Sequence, residues 1–188
     1  MIYNMDFLIS AMIILLLILW HFLGQKRAED LNNRVFLFFA VLGTADVVAE
    51  FFTNYYITSY NSDMGTAAVI VTTIFYLLQA LLPATFIFYI QTLHEQKIIS
   101  AKKMFISGVP TLVLISVILT NPFTEKLFSF DVTAGYVKGP WYLLMYVSAL
   151  GHFAVALLLI LLWRKKLGPQ KEKILLEIFV ISGVGVVL

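Results

Sequence analysis

The chain contains no cysteine and few charged residues. Of its 188 residues, 13% are charged and 61% are hydrophobic. The absence of cysteine excludes disulfides, thiolate metal sites and cysteine nucleophiles. A soluble globular domain carries about 25% charged residues, so this composition indicates a membrane protein. No stretch is polar and long enough to form a separate soluble domain, and we expect residues 1–188 to form a single all-α membrane unit.

Recognisable catalytic motifs are absent as well. The sequence has no Gly-x-Ser-x-Gly, no His-Glu-x-x-His and no Gly-x-x-x-x-Gly-Lys-Ser/Thr motif. No nucleophile with a base and no set of metal ligands stands out. We therefore expect no catalytic residue, no metal site and no cofactor in this chain, and nothing indicates a nucleic-acid partner. The lipid bilayer is the partner that the composition predicts.

Six apolar segments are separated by short polar ones. A hydrocarbon core of about 30 Å requires a helix of roughly 20 apolar residues. The predicted membrane segments are 7–23, 35–57, 66–93, 104–119, 141–163 and 174–188. The last of them would reach only about 22 Å, which is too short to cross. We therefore expect a polytopic helix bundle with five complete spans and a truncated sixth, in a chain that is a fragment of a longer protein.

Lys and Arg are distributed unevenly between the two sides of these spans. Eleven of the 13 follow the first, third or fifth span, and only Lys126 and Lys138 follow the fourth. The positive-inside rule then predicts that the N-terminus is outside and that 121–139 is the longest extracytoplasmic loop. The sixth span would run outward, so a C-terminal cytoplasmic domain would need a seventh span.

Ionisable and polar side chains inside the apolar spans are the candidates for a functional site. Asp46 lies at the middle of the second span, and Glu50 lies one helical turn away on the same face. The third span contains Gln79, and the fifth contains His152. Such groups are costly in hydrocarbon, so they should face the bundle interior or an aqueous cavity. We predict that Asp46, Glu50, Gln79 and His152 line a pocket for a ligand or an ion.

A structural role is the alternative for the ionisable members of this set. His152 alone is more consistent with a hydrogen-bonded core residue. For Asp46 and Glu50 we favour a functional role, because two acidic groups one turn apart are expensive to retain in hydrocarbon. The sequence leaves open which of the two carboxyl groups is ionised.

The segment after the fourth span carries a characteristic order of residues. It begins with Asn-Pro, continues through Phe-Ser-Phe-Asp and Gly-Tyr, and returns to an apolar phase at Gly-Pro-Trp. This order resembles the N-terminal seven-helix membrane region of bacterial sensors, chiefly diguanylate cyclases with a C-terminal GGDEF domain, and related sensor histidine kinases. The matching positions are Asn121, Pro122, Phe128, Phe130, Asp131, Tyr136, Gly139 and Pro140. Arg34, Phe36 and Asp46 also fit that pattern.

The resemblance implies a function in signal transduction. The chain would be the input region of a multi-pass protein of the bacterial cell membrane that regulates a cytoplasmic diguanylate cyclase domain. It would respond to a small molecule or an ion and dimerise through the output domain, which, like the seventh helix, lies outside these residues. The alternatives are a sensor histidine kinase input region and, from another class, a small-solute transporter or channel. Mid-membrane acids and helices interrupted at Pro83 and Pro110 also suit transport, but no inverted repeat supports it.

Overall fold

The computed structural model of the chain describes residues 5–24, 30–60, 62–95 and 101–187. Six α-helices account for most of these residues, which confirms the all-α prediction. They are α1 (Met5–Gly24), α2 (Leu31–Thr58), α3 (Gly65–Glu95), α4 (Ala101–Thr124), α5 (Leu143–Leu167) and α6 (Pro169–Val187). A short antiparallel sheet lies between α4 and α5 and consists of β1 (Phe128–Asp131) and β2 (Gly135–Lys138).

Three helices of the described chain are long and apolar enough to cross a membrane. These are Leu31–Thr58, Gly65–His94 and Leu143–Leu167, which correspond to α2, α3 and α5. Shorter apolar helical segments are Leu8–Gly24 in α1 and Gly108–Thr124 in α4. Many large apolar side chains point away from the bundle, as Leu17 and Leu162 do with 63% and 74% of their surface exposed. Lengths and composition therefore indicate a membrane protein.

Most of the helices extend beyond the predicted spans, although α5 begins at Leu143 rather than at residue 141. The helix α4 differs most. It continues to Thr124 instead of ending at residue 119, so Asn121 and Pro122 lie inside the helix rather than opening the loop. Hydrophobicity locates the apolar part of a helix but not its hydrogen-bonded end. Here the polar end remains helical, and the hydroxyl of Thr124 donates to the carbonyl oxygen of Thr120 at 3.1 Å. The helix α6 likewise begins at Pro169 rather than at residue 174, since proline suits a first helical position.

The helix α3 lies at the centre of the packing. The helices α2, α4 and α5 each pack against it, α1 packs against α2, and α6 packs against α5. One core cluster, which includes Phe75, Tyr76 and Phe128, lies near the sheet, and a second, which includes Phe86 and Ile160, lies toward the α5–α6 junction. We call the end of the bundle that contains the two-stranded sheet the hairpin end, and the end that contains the α5–α6 junction the basic end. The second name refers to the basic residues Arg164, Lys165 and Lys166 in the last turn of α5.

Candidate functional site

The segment with the sequence motif folds into a β-hairpin. Its strands are antiparallel, with Asp131 opposite Gly135. The Asp131 Oδ1 atom accepts hydrogen bonds from the N–H groups of Thr133 at 2.7 Å and Ala134 at 2.9 Å. The Thr133 hydroxyl and these two N–H groups hold the pKa of Asp131 below its ordinary value. Gly135 has a φ of +68°, which favours glycine, so these residues together form the turn.

Asn121 connects the end of α4 to the first strand of the hairpin. Its side chain is buried, with 1% of the residue exposed. The Nδ2 atom donates to the carbonyl oxygen of Phe128 at 3.0 Å, and Oδ1 accepts from the N–H groups of Leu127 at 2.7 Å and Phe128 at 3.3 Å. Pro122 follows in the last turn of α4, and Glu125, with a φ of +51°, lies just beyond its end. Asn121 therefore fixes the direction in which β1 leaves the helix.

Gly139 and Pro140 hold the second strand against the segment that follows α4. A Cβ atom on Gly139 would lie 2.2 Å from the carbonyl oxygen of Lys126, so a side chain cannot fit there without moving the backbone. The N–H groups of Gly139 and Trp141 donate to the carbonyl oxygens of Leu127 and Lys126, each at 2.8 Å. Pro140 lies between these two donors and has no N–H of its own.

Aromatic side chains join the hairpin to the helices below it. The hydroxyl oxygens of Tyr136 on β2 and Tyr76 on α3 are 2.6 Å apart. The ring of Tyr76 contacts Phe128 at 5.3 Å between centroids, and Phe130 stacks on Tyr60 at 5.1 Å. The structure thus brings all six predicted loop residues, from Asn121 to Pro140, into one unit that is anchored on α3.

The acidic residues lie on a polar stripe of α2. Asp46 lies about one helical turn before both the buried residue Ala49 and Glu50. The Oδ1 atom of Asp46 is buried and has no hydrogen-bond partner among the described residues. The same holds for Oγ1 of Thr53 and Nδ2 of Asn54, two turns farther toward the hairpin end. This stripe therefore contains several polar atoms that the described part of the protein does not satisfy.

The other two predicted pocket residues have different surroundings. Gln79 is exposed on α3. His152 is buried, and its Nε2 atom lies 2.8 Å from Oγ1 of Thr111 on α4 while Nδ1 lies 2.7 Å from the carbonyl oxygen of Ser148. Both ring nitrogens therefore have neutral partners, and these hydrogen bonds match the structural role that the sequence favoured for His152 alone. A pocket shared by all four residues stays a prediction.

Sequence reasoning missed the partner of His152. Thr111 could have been noticed as a polar residue inside apolar α4, directly after Pro110. Thr72 is fully buried on α3, and its hydroxyl has no hydrogen-bond partner among the described residues. No group of three or more His, Cys, Asp and Glu side chains within the described ranges could hold a metal ion.

An apolar groove lies on another face of α2. Its volume is about 500 Å³, and residues of α1, α2 and α3 line it, among them Leu19, Ala45 and Ile74. No family model, no curated protein and no solved structure matches the chain. The resemblance to bacterial sensory regions therefore stays a prediction, and function has to be inferred from the residues themselves.

Proposed function

We propose that this chain is the membrane-embedded input region of a bacterial signal-transduction protein that regulates a cytoplasmic diguanylate cyclase domain. The contact of Tyr136 with Tyr76, at 2.6 Å between hydroxyl oxygens, is the observation that carries the proposal. It ties the hairpin to α3, the helix against which α2, α4 and α5 pack. A stimulus that displaces the hairpin would therefore act on most of the bundle.

A contact at the basic end supports transmission along α3. His94, in the last turn of α3, stacks on Trp163 of α5 with 4.0 Å between ring centroids and 19° between planes. Trp163 directly precedes the basic residues that end α5, and α6 packs against this helix. A shift of α3 would thus reach the α5–α6 junction. Signalling requires that the bundle has two arrangements with different affinities for the stimulus.

In this proposal the chain crosses the cell membrane with five complete spans, and the N-terminus and hairpin are outside. The placement of Lys and Arg supports this orientation. Arg164, Lys165 and Lys166 lie at the basic end, whereas only Lys126 and Lys138 flank or end the hairpin strands. Other basic residues that contribute to the pattern, Lys26, Arg27 and Lys97, lie outside the described residues.

A small-solute transporter or channel is the second candidate. The unpartnered polar atoms of Asp46, Thr53 and Asn54 favour it, because transporters place polar groups near the middle of the membrane. A sensor histidine kinase would use the same input region and differ only in its output domain.

The test joins this chain, through one added transmembrane helix, to a diguanylate cyclase domain and measures cyclic di-GMP in cells. The Tyr136→Phe variant lacks the hydroxyl that contacts Tyr76. We expect its cyclic di-GMP level to differ from wild type by roughly two- to tenfold, which corresponds to one hydrogen bond of about 0.5–1.5 kcal/mol.

The matched control is Tyr146→Phe, because the Tyr146 hydroxyl is exposed and lies 3.4 Å from that of Tyr142. We expect this variant to behave as wild type. Equal cyclic di-GMP levels in all three fusions, at equal amounts in the membrane, would contradict the sensor proposal. Solute uptake that is lost in Asp46→Asn would support the transporter instead.

A further inference from the structure

Two buried threonines differ from most of the other described helical threonines. Most described threonine hydroxyls in the helices donate to a carbonyl oxygen of the preceding turn, as those of Thr44 on α2 and Thr85 on α3 do at 2.9 Å. Thr53 on α2 and Thr72 on α3 are 2% and 0% exposed, yet neither hydroxyl has a hydrogen-bond partner in the described part of the chain. A buried hydroxyl without a partner is destabilising, so both sites point to a partner outside the protein.

The two threonines lie at the same level of the bundle. Two ring contacts at 5.8 Å between centroids fix the antiparallel register of α2 and α3, namely Phe36–Tyr89 and Phe39–Phe86. If residues of α2 and α3 remain paired in this way toward the hairpin end, Thr53 lies at the same height along the bundle axis as Thr72. Asn54, whose Nδ2 atom is also buried and unpartnered among the described residues, is 3% exposed beside Thr53.

The polar atoms continue from this level toward Asp46. Thr53, Glu50 and Asp46 follow one another at about one helical turn, or roughly 5.4 Å along the axis. Two consecutive O–H···O hydrogen bonds of about 2.7–2.8 Å span the same distance. One water molecule between successive polar groups therefore fits this spacing, and buried polar groups without protein partners bind ordered water.

The charged and titratable groups around Asp46 are few. On α2, Glu50 lies one helical turn from Asp46. The helices packed against α2 are α1 and α3, and their described titratable side chains are His21, Tyr76, Tyr89 and His94. Tyr76 is hydrogen-bonded to the hairpin, and the other three lie toward the basic end. Nothing in this set provides a cation beside Asp46.

We propose that the seam between α2 and α3, formed by Asp46, Glu50, Thr53, Asn54 and Thr72, is a binding site for a chain of internal water molecules. This row of water molecules connects the Asp46 carboxyl group to the aqueous phase at the hairpin end. Protons exchange along it: a hydrated proton from that side passes through the waters to the carboxylate, which becomes neutral, and the reverse transfer restores its charge. The proposed site does not depend on the output domain, so the proposal applies equally to a sensor and to a transporter.

The first test asks whether removal of a threonine hydroxyl raises or lowers the Tm of the full chain reconstituted in lipid nanodiscs. The Thr53→Val and Thr72→Val variants keep the side-chain shape and remove the hydroxyl. If the seam is hydrated, each variant removes a hydrogen-bond partner of a water, and we expect Tm to fall by about 2–4 °C. If the seam is dry, valine removes an unsatisfied polar group, and a rise in Tm would overturn the proposal.

The matched control is Thr85→Val, because Thr85 is buried on the same helix and its hydroxyl donates to the carbonyl oxygen of Leu81. We expect its Tm to stay within about 1 °C of wild type, since only a local helix contact is lost.

The second test measures proton access to Asp46 by infrared spectroscopy. The carboxyl band of protonated Asp46 is identified by its loss in Asp46→Asn, and its shift is followed after transfer into D2O. We expect the Thr53→Val/Thr72→Val double variant to exchange at least about tenfold more slowly than wild type, which corresponds to about 1.4 kcal/mol of added barrier. Thr85→Val should exchange as wild type. Equal rates in the double variant and wild type, or a carboxyl band that external pH does not change, would overturn the proposal.

Discussion

At the scale of single residues, Gly139 illustrates how closely the hairpin approaches the segment that follows α4. The carbonyl oxygen of Lys126 occupies the space that a Cβ atom would need, at a distance of 2.2 Å. Because the obstacle is backbone, it cannot rotate away as a flexible side chain could. We expect Gly139→Ala to lower the free energy of unfolding by about 1–3 kcal/mol, as overpacking typically does. Reversible denaturation in detergent micelles, followed by circular dichroism, measures this change.

Gly151 provides the control for this substitution. It lies in α5, and among the described residues nothing beyond its own stretch of helix lies within 4 Å of a Cβ atom built on it. Alanine is favoured over glycine inside a helix by about 1 kcal/mol, so Gly151→Ala should leave stability unchanged or raise it. If Gly139→Ala were as stable as Gly151→Ala, the hairpin would not pack on the segment that follows α4 as described.

Single residues also show where sequence reasoning stops. Asn121 could be selected from the motif, but its role depends on the path of a backbone up to seven residues away. The partner of His152 is Thr111, 41 residues away on another helix, and no local pattern encodes that contact. Asp46 was identifiable because an acid in an apolar span is conspicuous. The unpartnered hydroxyl of Thr72 was not, since threonine in a helix usually bonds to its own backbone.

At the scale of elements, the helices were predictable and the hairpin was not. Long apolar segments identify helices because a segment in hydrocarbon must satisfy the hydrogen bonds of its own backbone N–H and C=O groups. The strands β1 and β2 have four residues each, and an isolated two-stranded hairpin is only marginally stable in water. Contacts with α3 through Tyr76 and Phe128 therefore stabilise it, and these depend on tertiary packing. The all-α prediction was confirmed for the bundle but lacked this short sheet.

The attachment of the hairpin to α3 can be measured with a double-mutant cycle on Tyr76 and Tyr136. Each Tyr→Phe change keeps the ring and removes one hydroxyl of the 2.6 Å contact. We expect a coupling free energy of about 0.5–1.5 kcal/mol, the range of a typical hydrogen bond. Unfolding of wild type, both single variants and the double variant in detergent gives this coupling.

The comparison pair is Tyr142 and Tyr146, whose exposed hydroxyl oxygens are 3.4 Å apart. A contact of this length in an exposed position should give a coupling below about 0.3 kcal/mol. Equal couplings for the two pairs would mean that the hairpin is held by ring packing alone.

At the scale of the whole molecule, the two ends of the bundle differ in their chemistry. The hairpin end consists of aromatic rings, a turn held by Asp131 and few basic side chains, whereas α5 closes the other end with Arg164 and two lysines. The helix α3 runs from one end to the other and contributes residues to both core clusters. The proposed orientation places these two ends on opposite sides of the membrane. The proposed function depends on this orientation, because the stimulus would act outside and the output domain would be cytoplasmic.

This orientation can be tested directly because the chain has no cysteine, so that a single introduced thiol is the only one to react. Val132, in the hairpin turn, is 73% exposed, and Lys171, in the first turns of α6, is also exposed. In intact cells we expect a membrane-impermeant maleimide to label Val132→Cys and to leave Lys171→Cys unlabelled until the membrane is permeabilised. The positive-inside rule underlies this expectation. The reverse pattern would place the hairpin in the cytoplasm, and labelling of both thiols in intact cells would mean that the two ends share one side; either outcome would remove the proposed path from an external stimulus to a cytoplasmic output domain.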